Sequence, residues 1–418
     1  MPTRLAGIRY FIPSYNLIAK ISVRNLKKKI EKFIEGTLFL SSTITSLTVI
    51  FIIIFLFKEG LGIFNATPTE PNHVLAVNAK NPLKALTSKQ IKLIFNQDVT
   101  NWSKLGGSND SILLLTTDEI SKYYTEDELG SNYENLPAKV DECLAAHPGM
   151  IAYFSKTYIP KNFHGRIIPV KKITIFEFLL GKEWYPTSAP AAQFGVLPLI
   201  LGTLWVSIGA ILLALPIGLI TAIYLAEVAD ERLRRILKPI IELLAGIPSV
   251  VYGFFGLVVI VPLIQSTFKL PVGETALAGS IVLAIMALPT IITISEDALR
   301  TTPKSLREAS LALGASRWQT VIRVVVPYAK SGITAASILG IGRAVGETMA
   351  VLMVTGNAAT IPHGFLEPVR TIPATIAAEL GEAPFGGVHY QSLFALGIIL
   401  FIITMGFNMI VDLMRNKK

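Results

Sequence analysis

The sequence predicts an α-helical integral membrane protein with six transmembrane helices and a small soluble α/β insert. Hydrophobic residues make up 51% of the 418 residues and charged residues only 16%, whereas soluble globular chains carry roughly 25% charge. The mean hydropathy is +0.55. This composition excludes a disordered chain and argues against an ordinary soluble enzyme. The single cysteine excludes an intrachain disulfide framework and a cysteine-rich zinc site.

The N-terminal region is predicted to be a basic cytoplasmic arm, residues 1–36, followed by the first transmembrane helix, residues 37–57. Residues 1–35 carry eight Lys or Arg and two acids, which indicates membrane anchoring rather than a nucleic-acid surface. The next segment is free of charge over 21 positions, enough for a hydrocarbon core of about 30 Å. A cleaved signal peptide is the alternative, but its apolar region would be about 7–15 residues long. The longer run predicts a retained helix.

Residues 58–190 are predicted to be a water-soluble extracytoplasmic α/β insert. They carry fourteen basic and fourteen acidic residues, and Pro, Asn and Gly separate short apolar runs. Val74–Val77 and Ile112–Thr116 are typical of strands. Thr87–Phe95 predicts a short helix with a Thr or Ser cap. Cys143 is predicted to be a lone packed thiol.

Residues 194–415 predict five further transmembrane helices. The proposed spans are 197–226, 240–265, 275–295, 330–355 and 391–413. Basic residues concentrate in the connections 230–238 and 297–329 and in the C-terminal tail, which the positive-inside rule places in the cytoplasm. The connections 266–274 and 356–390 then lie outside, and both termini lie inside.

The cytoplasmic connection contains a segment, residues 303–327, that predicts two short helices joined by a turn. Thr302 before Pro303, or a capping box from Ser305 to Glu308, would start the first helix. Gly314 would end it, a box from Ser316 to Gln319 would start the second, and Pro327 would end that. The capping signals alone favour an ordinary interfacial helix.

The spacing of residues in this segment indicates more than an ordinary interfacial helix. Glu308, Ala309 and Ser310 are followed at fixed offsets by Gly314 and by a Val-Val-Val-Pro run that ends at Pro327. This pattern closely resembles the EAA signature of ABC importer permeases, in which the segment couples the membrane subunit to an ATPase. The resemblance implies that Glu308, Ala309, Gly314 and Pro327 form the ATPase contact.

Two stretches in the predicted membrane spans indicate which group of ABC importer permeases the chain resembles. ELLAGIPSVVYG at 242–253 and GIGRAVGETMAVLMVTGN at 340–357 resemble the PstC family of phosphate-importer permeases. The resemblance implies a type I ABC permease fold in a bacterial inner membrane. It also implies a homologous permease subunit, two ATP-binding subunits and a periplasmic phosphate-binding protein as partners.

Arg343 and Glu347 are the charged pair in the middle of the predicted 330–355 span. Charge at a helix centre is costly and is functional by default. At this spacing the two side chains would share a helix face, and Gly342 and Gly346 would let another helix approach. A structural ion pair is the alternative. Guanidinium suits phosphate oxygens, so Arg343 is predicted to meet the substrate, with Glu347 holding it in place.

The insert shows a second resemblance. Residues 77–116 and 147–156 are similar to one lobe of phosphate-type periplasmic binding proteins. In that family the lobe continues into an Arg and a Ser-Gly-Thr phosphate cradle. Here the corresponding residues 116–128 have no Gly or Arg and carry five acids, Asp118, Glu119, Glu126, Asp127 and Glu128. We therefore expect no phosphate binding at this point, and a docking or gating role instead.

The predicted function is the permease subunit of an ATP-driven phosphate importer. The sequence has no Gly-x-x-x-x-Gly-Lys-Ser/Thr loop for ATP, so hydrolysis is assigned to the partner subunits. No enzyme activity, cofactor or metal site is predicted. Two alternatives remain open at this point: a permease for molybdate, tungstate or sulfate, and a membrane signalling scaffold that uses the fused lobe.

Overall fold

The computed structural model describes residues 15–70, 72–130 and 132–416. The first fourteen residues of the predicted basic arm therefore lie outside the described part, as do Lys417 and Lys418. The chain divides after Phe57 into two units. The first unit consists, in its described part, of a single helix, α1, which runs from Tyr15 to Leu61. The predicted first transmembrane helix lies within α1.

The second unit begins with the α/β insert, whose predicted strands and helix are confirmed. Its main sheet has four strands in the order β2–β3–β1–β4, with β2 and β3 parallel and the other pairs antiparallel. Thr87 caps α2 in a reciprocal capping box with Gln90. The strands and helices of the insert are β1 His73–Val77, α2 Ser88–Phe95, β2 Leu113–Leu115, α3 Glu126–Leu129, α4 Leu136–Ala146, β3 Met150–Ser155, β4 Arg166–Ile167, α5 Ile175–Leu180, β5 Trp184–Tyr185 and β6 Gln193–Phe194.

Helices cover both faces of this sheet because its side chains alternate. Ala76 and Ala152 face α4, which contributes Cys143 and Leu144. Leu75, Val77 and Ile151 face the opposite core, which α2 closes together with Trp102. Burial raises the pKa of the Cys143 thiol, so its prediction as a packed thiol is confirmed.

The rest of the second unit is helical. Its helices are α6 Leu197–Ile223, α7 Glu231–Ala245, α8 Ser249–Phe255, α9 Val261–Phe268, α10 Ala276–Arg300, α11 Lys304–Ala312, α12 Arg317–Thr320, α13 Val326–Tyr328, α14 Lys330–Gly346, α15 Met349–Val354, α16 Ile372–Glu379 and α17 Val388–Asn416. Short π-helical turns continue α6, join α8 to α9 and join α12 to α13.

Among the described residues, five helices are long and apolar enough to cross a membrane, and there are six spans if one bent pair of helices counts as a single span. The count agrees with the predicted fold class. The five helices are Glu31–Asn65, Leu197–Val228, Ser249–Phe268, Ala276–Arg300 and Val388–Met409, and the bent pair joins Arg317–Tyr328 to Lys330–Gly346 at 69°.

Two predicted spans have different bounds. The predicted 240–265 span begins only at Ser249, because Gly246 and Pro248 separate it from α7. Helix α7 is amphipathic and begins at its own N-cap, Asp230. The Asp230 carboxylate accepts a hydrogen bond from the Leu233 N–H at 2.8 Å. Its charged residues therefore lie beside the membrane segment and not within it.

The predicted 330–355 span is also interrupted. α14 ends at Gly346, the backbone is extended at Glu347 (ψ 132°), and α15 starts afresh at Met349. Towards the N terminus the same candidate span continues across the bend at Ala329 into residues 317–328. Pro327 therefore does not end the second helix of the coupling segment, which runs on to Tyr328.

Close packing of α6 on α10 forms the core of the membrane part. At Gly209 an added Cβ would lie 2.3 Å from the Ser280 Oγ, so only glycine permits the observed approach. The Ser280 hydroxyl donates across this contact to the Val206 carbonyl at 3.2 Å. The same core includes Val282 and Met286 of α10.

Candidate functional site

The coupling segment forms an exposed helix–turn–helix. Gly314 has φ +85°, a left-handed conformation that side-chain-bearing residues rarely adopt. The predicted box of Ser316 and Gln319 is confirmed. Both predicted starts of the first helix are wrong, because α11 begins at Lys304 without a side-chain cap and Thr302 is buried before it.

The residues predicted to contact the ATPase are exposed. Glu308, Ala309, Gly314 and Pro327 are all exposed on the surface of the chain. Leu313, next to the glycine, is 89% exposed. Further exposed apolar side chains on the segment are Leu306, Leu311 and Trp318. An apolar patch of this kind on a short surface helix indicates a protein contact.

Arg307 anchors this segment to the membrane helices, and sequence reasoning missed its role. Its Nη2 lies 2.6 Å from Glu227 Oε1, in the π-helical turn that continues α6. The same nitrogen donates to the Leu299 carbonyl at 3.0 Å. Glu227 and Arg307 are 80 residues apart in the chain, and no local pattern could have paired them.

A buried carboxylate joins α7 to α10. Glu296 is fully buried, and its oxygens lie 2.7 Å from Arg234 Nε and 2.9 Å from Lys238 Nζ. Lys238 also reaches Asp297 at 2.8 Å. A buried charge is tolerated when it is paired. Arg234 and Lys238 of the 230–238 connection therefore position α7 against α10.

Arg343 lies half-buried in the last turn of α14. The predicted helical pairing with Glu347 is not found. The helix ends before Glu347, and among the described residues no ion pair joins the two side chains. Both remain half-buried near the break between α14 and α15.

The glycines beside Arg343 face open space. A Cβ added at Gly342 or Gly346 would meet nothing within 4 Å. The described part of this chain therefore places no helix against the two glycines, and the close approach of another helix stays a prediction. This face of α14 is open within the described residues.

A second ionic cluster connects the insert to the connection between α15 and α17. Glu379 receives Arg370 Nη2 at 2.8 Å, His389 Nε2 at 2.8 Å and the indole N–H of Trp184 at 3.1 Å. All four side chains are buried or nearly so. Trp184 belongs to the insert, so the insert is attached to the membrane part at this point.

Two of the five acids in residues 116–128 have local partners. Glu128 accepts from the Thr125 N–H at 2.8 Å and from its hydroxyl at 3.0 Å, and the backbone hydrogen bond chiefly lowers the pKa of Glu128. Glu119 pairs with Lys122 at 3.0 Å. Asp118, Glu126 and Asp127 complete the group. The segment caps α3 and presents acids rather than converging N–H donors.

Comparison with known proteins identifies both parts of the chain. Residues 214–417 match the family described as binding-protein-dependent transport system inner membrane component, and residues 73–200 match the PBP superfamily domain. The probable ABC transporter permease protein YqgH of Bacillus subtilis is 41% identical over 249 residues, covering 60% of this chain and 80% of the relative. This chain belongs to the ABC transporter permease family. The predicted family resemblance is thereby confirmed.

Further relatives share the same region of the permease. The phosphate transport system permease protein PstC of Mesorhizobium japonicum is 41% identical over 248 residues, which cover 55% of this chain and 75% of that protein. A solved structure of the MetNI methionine ABC transporter aligns with 24% identity and a TM-score of 0.39, over 52% of this chain and 93% of that one. Permeases of this family are inner-membrane components that work with ATPase and substrate-binding partners.

Proposed function

We propose that this permease is the membrane subunit of an ATP-driven importer of inorganic phosphate. The observation that carries the proposal is its similarity to permeases named for phosphate transport, at 37–41% identity. In this proposal the chain pairs with a homologous permease subunit and two ATP-binding subunits. A periplasmic phosphate-binding protein delivers the substrate, and the chain itself carries no enzyme activity.

The substrate is proposed to pass Arg343. A guanidinium presents planar paired donors that match phosphate oxygens, and Arg343 lies beside the open face of Gly342 and Gly346. Glu347 follows at the break in the span, where its carboxylate repels an anion and favours release. An intramembrane charge without an ion-pair partner among the described residues supports a role in transport.

ATPase coupling is proposed to run through residues 303–327. Glu308, Ala309, Gly314 and Pro327 are exposed, and Leu313 projects from the turn. The ion pair of Arg307 with Glu227 ties this surface to α6. Movement of the ATPase would reach the membrane helices through that contact.

The proposed topology places both termini and residues 303–327 in the cytoplasm and the insert outside. The domain division is proposed as a basic arm to residue 36, a first membrane helix at 37–57, an insert at 58–190 and a permease domain at 194–415. The contact of Trp184 with Glu379 supports this, since it requires the insert and the 356–390 connection to share one side. The insert is proposed to dock or gate at the external mouth.

Uptake of radiolabelled phosphate in a strain that lacks this subunit tests the proposal. We expect uptake to be lost and to return with the intact chain but not with an Arg343→Gln chain. Excess unlabelled phosphate should compete, and molybdate, tungstate and sulfate should not. Normal phosphate uptake without the subunit, or competition by another oxyanion alone, would contradict the proposal.

A further inference from the structure

A cavity of about 750 Å³ opens between α2 and α5, where the insert joins α6. Its volume lies in the range of small-molecule sites, roughly 300–1,000 Å³. The walls come from α2, α5, β6 and the segment between α5 and β5. None of the residues proposed for transport or coupling lines it.

Four lysines line the cavity. Lys89, Lys171 and Lys182 line it and are exposed, and none of them forms an ion pair within the part of the chain that the structure describes. A fourth lysine, Lys92, is paired with Glu183. Asp98 is also present. The carboxylate of Glu177 accepts from the Thr174 backbone and hydroxyl and so caps α5. The lining therefore carries four lysines against the three carboxylates of Asp98, Glu177 and Glu183, a net charge of +1, and three of the lysines are without an ion pair in the described part of the chain.

Exposed apolar side chains also line the cavity. Phe176 of α5 is 78% exposed and Leu180 is 61% exposed, and both line the opening. Ile175 on the same helix is 56% exposed. Large apolar side chains with this exposure indicate contact with another molecule or with lipid.

The position of α5 near the start of a candidate membrane span favours lipid over another molecule as the contact of these side chains. Its buried residue, Phe178, packs in one core with Leu199 and Leu396, near the starts of α6 and α17. The Val196 N–H donates to the Phe178 carbonyl at 2.8 Å, and the Leu197 N–H donates to the Gly181 carbonyl at 3.2 Å. Leu197 begins a candidate membrane span. The hydrogen bonds therefore hold α5 at the level where that span leaves the bilayer.

We propose that this cavity binds the headgroup of an anionic phospholipid from the surrounding membrane. The lysines meet the phosphodiester, and Phe176 and Leu180 contact the glycerol and the first methylene groups. Basic and aromatic side chains together are typical of surfaces that bind anionic lipid. Free phosphate would leave the apolar side chains unused. The proposal requires only that Leu197–Val228 spans the membrane, whatever the transported substrate.

The position of α5 is tested with a fluorescent probe on the full chain. An Ile175→Cys chain carries an environment-sensitive probe beside the cavity, since the native thiol, Cys143, is buried. Its matched control carries the probe at Asp127, which is exposed in the insert. In phosphatidylglycerol nanodiscs with headgroup spin-labelled lipid, we expect at least twofold stronger quenching at residue 175. Equal quenching at both sites would overturn the proposal.

The lipid class is tested by titrating phosphatidylglycerol into phosphatidylcholine nanodiscs and following the same probe. A chain with Lys89→Gln, Lys171→Gln and Lys182→Gln should need at least tenfold more anionic lipid, since each lysine contributes about fivefold. A charge-matched control changes Lys104, Lys156 and Lys161, exposed lysines of the insert outside the cavity, and should not shift the midpoint. Equal midpoints in the two chains would refute the basic site.

A last experiment distinguishes binding of a lipid headgroup from binding of a free anion. Millimolar inorganic phosphate is compared with sodium chloride at equal ionic strength, because salt alone weakens the lysine contacts. Equal effects of the two salts support the lipid site. Specific displacement of the lipid signal by phosphate would make the cavity a small-anion site and overturn the proposal.

Discussion

Arg343 is a cation in the last turn of α14, half-buried near the break in the span. A cation near a helix C terminus is favoured by the helix dipole, but the open face beside it is not explained by helix stability. Glu347, the expected partner, lies on extended backbone, and among the described residues the Arg343 guanidinium has no ion pair. The proposal that a solute meets Arg343 rests on this arrangement.

Arg343→Gln is expected to lower phosphate uptake roughly tenfold or more, because a hydrogen bond to a charged group contributes about 1.5–3 kcal/mol. Uptake of labelled phosphate, normalised to complex in the membrane, is the measurement. Arg343→Lys should retain part of the activity, and Arg232→Gln, at an exposed arginine of α7, should retain all of it. Unchanged uptake in the Gln variant would assign Arg343 a structural role.

Gly314 has a conformational role. An added Cβ would meet nothing within 4 Å, yet φ is +85°. Gly314→Val should therefore strain the turn by about 1–2 kcal/mol and weaken the ATPase contact, whereas Gly314→Asn should be nearly neutral since Asn tolerates this region. Co-purification of the ATPase subunit distinguishes them. Equal retention of the ATPase by both variants would show that the turn geometry does not matter for docking.

At the scale of elements, charged side chains connect helices that hydropathy treats as separate spans. Arg307 joins α11 to the π-helical turn after α6, and Glu296 joins α10 to α7. In both cases the carboxylate is largely shielded from water. Such pairs specify how helices meet, because removal of one partner strands the other charge.

Glu227→Gln or Arg307→Met should each destabilise the complex by about 1–3 kcal/mol. Because the two residues contact one another, the double variant should lose less stability than the sum of the two single losses. The thermal midpoint of the purified complex and its ATP-driven uptake are the measurements. Strict additivity would show that the two side chains act independently. Arg317→Met, an exposed arginine of the same segment, is the control.

At the scale of the whole molecule, the arrangement depends on which residues share a side of the membrane. Single cysteines at Asp127 and Leu313 are suitable probes because both positions are exposed and the native Cys143 is buried. An impermeant thiol reagent added outside should label residue 127 and spare residue 313 until the membrane is opened. The opposite pattern would invert the proposed topology.

The burial of Cys143 also predicts how much the thiol reagent labels the wild-type chain, which is the background of the labelling experiment. Desolvation raises the pKa of the Cys143 thiol, so less of the reactive thiolate is present at neutral pH. The wild-type chain should therefore label only after denaturation. Rapid labelling of the native wild-type chain would mean that α4 opens locally.

The sequence by itself determined the membrane class, the number of spans, the strands of the insert and the family. These properties are local: the cost of a polar group in hydrocarbon applies along each run of about 20 residues, and the box of Ser316 with Gln319 closes within one turn. The charge pattern in the connections likewise predicted an orientation without any tertiary contact.

Only the tertiary structure decided where spans break and what the charged residues contact. α14 ends before Glu347 inside a run that hydropathy treats as continuous. The break between α7 and α8 falls at Gly246 and Pro248, two residues that the hydropathy prediction included in one span. The pairs Arg307 with Glu227 and Trp184 with Glu379 join residues 80 and 195 positions apart. Contacts at such separations exist only after the helices have packed, because no local pattern specifies which distant side chain will share a buried charge.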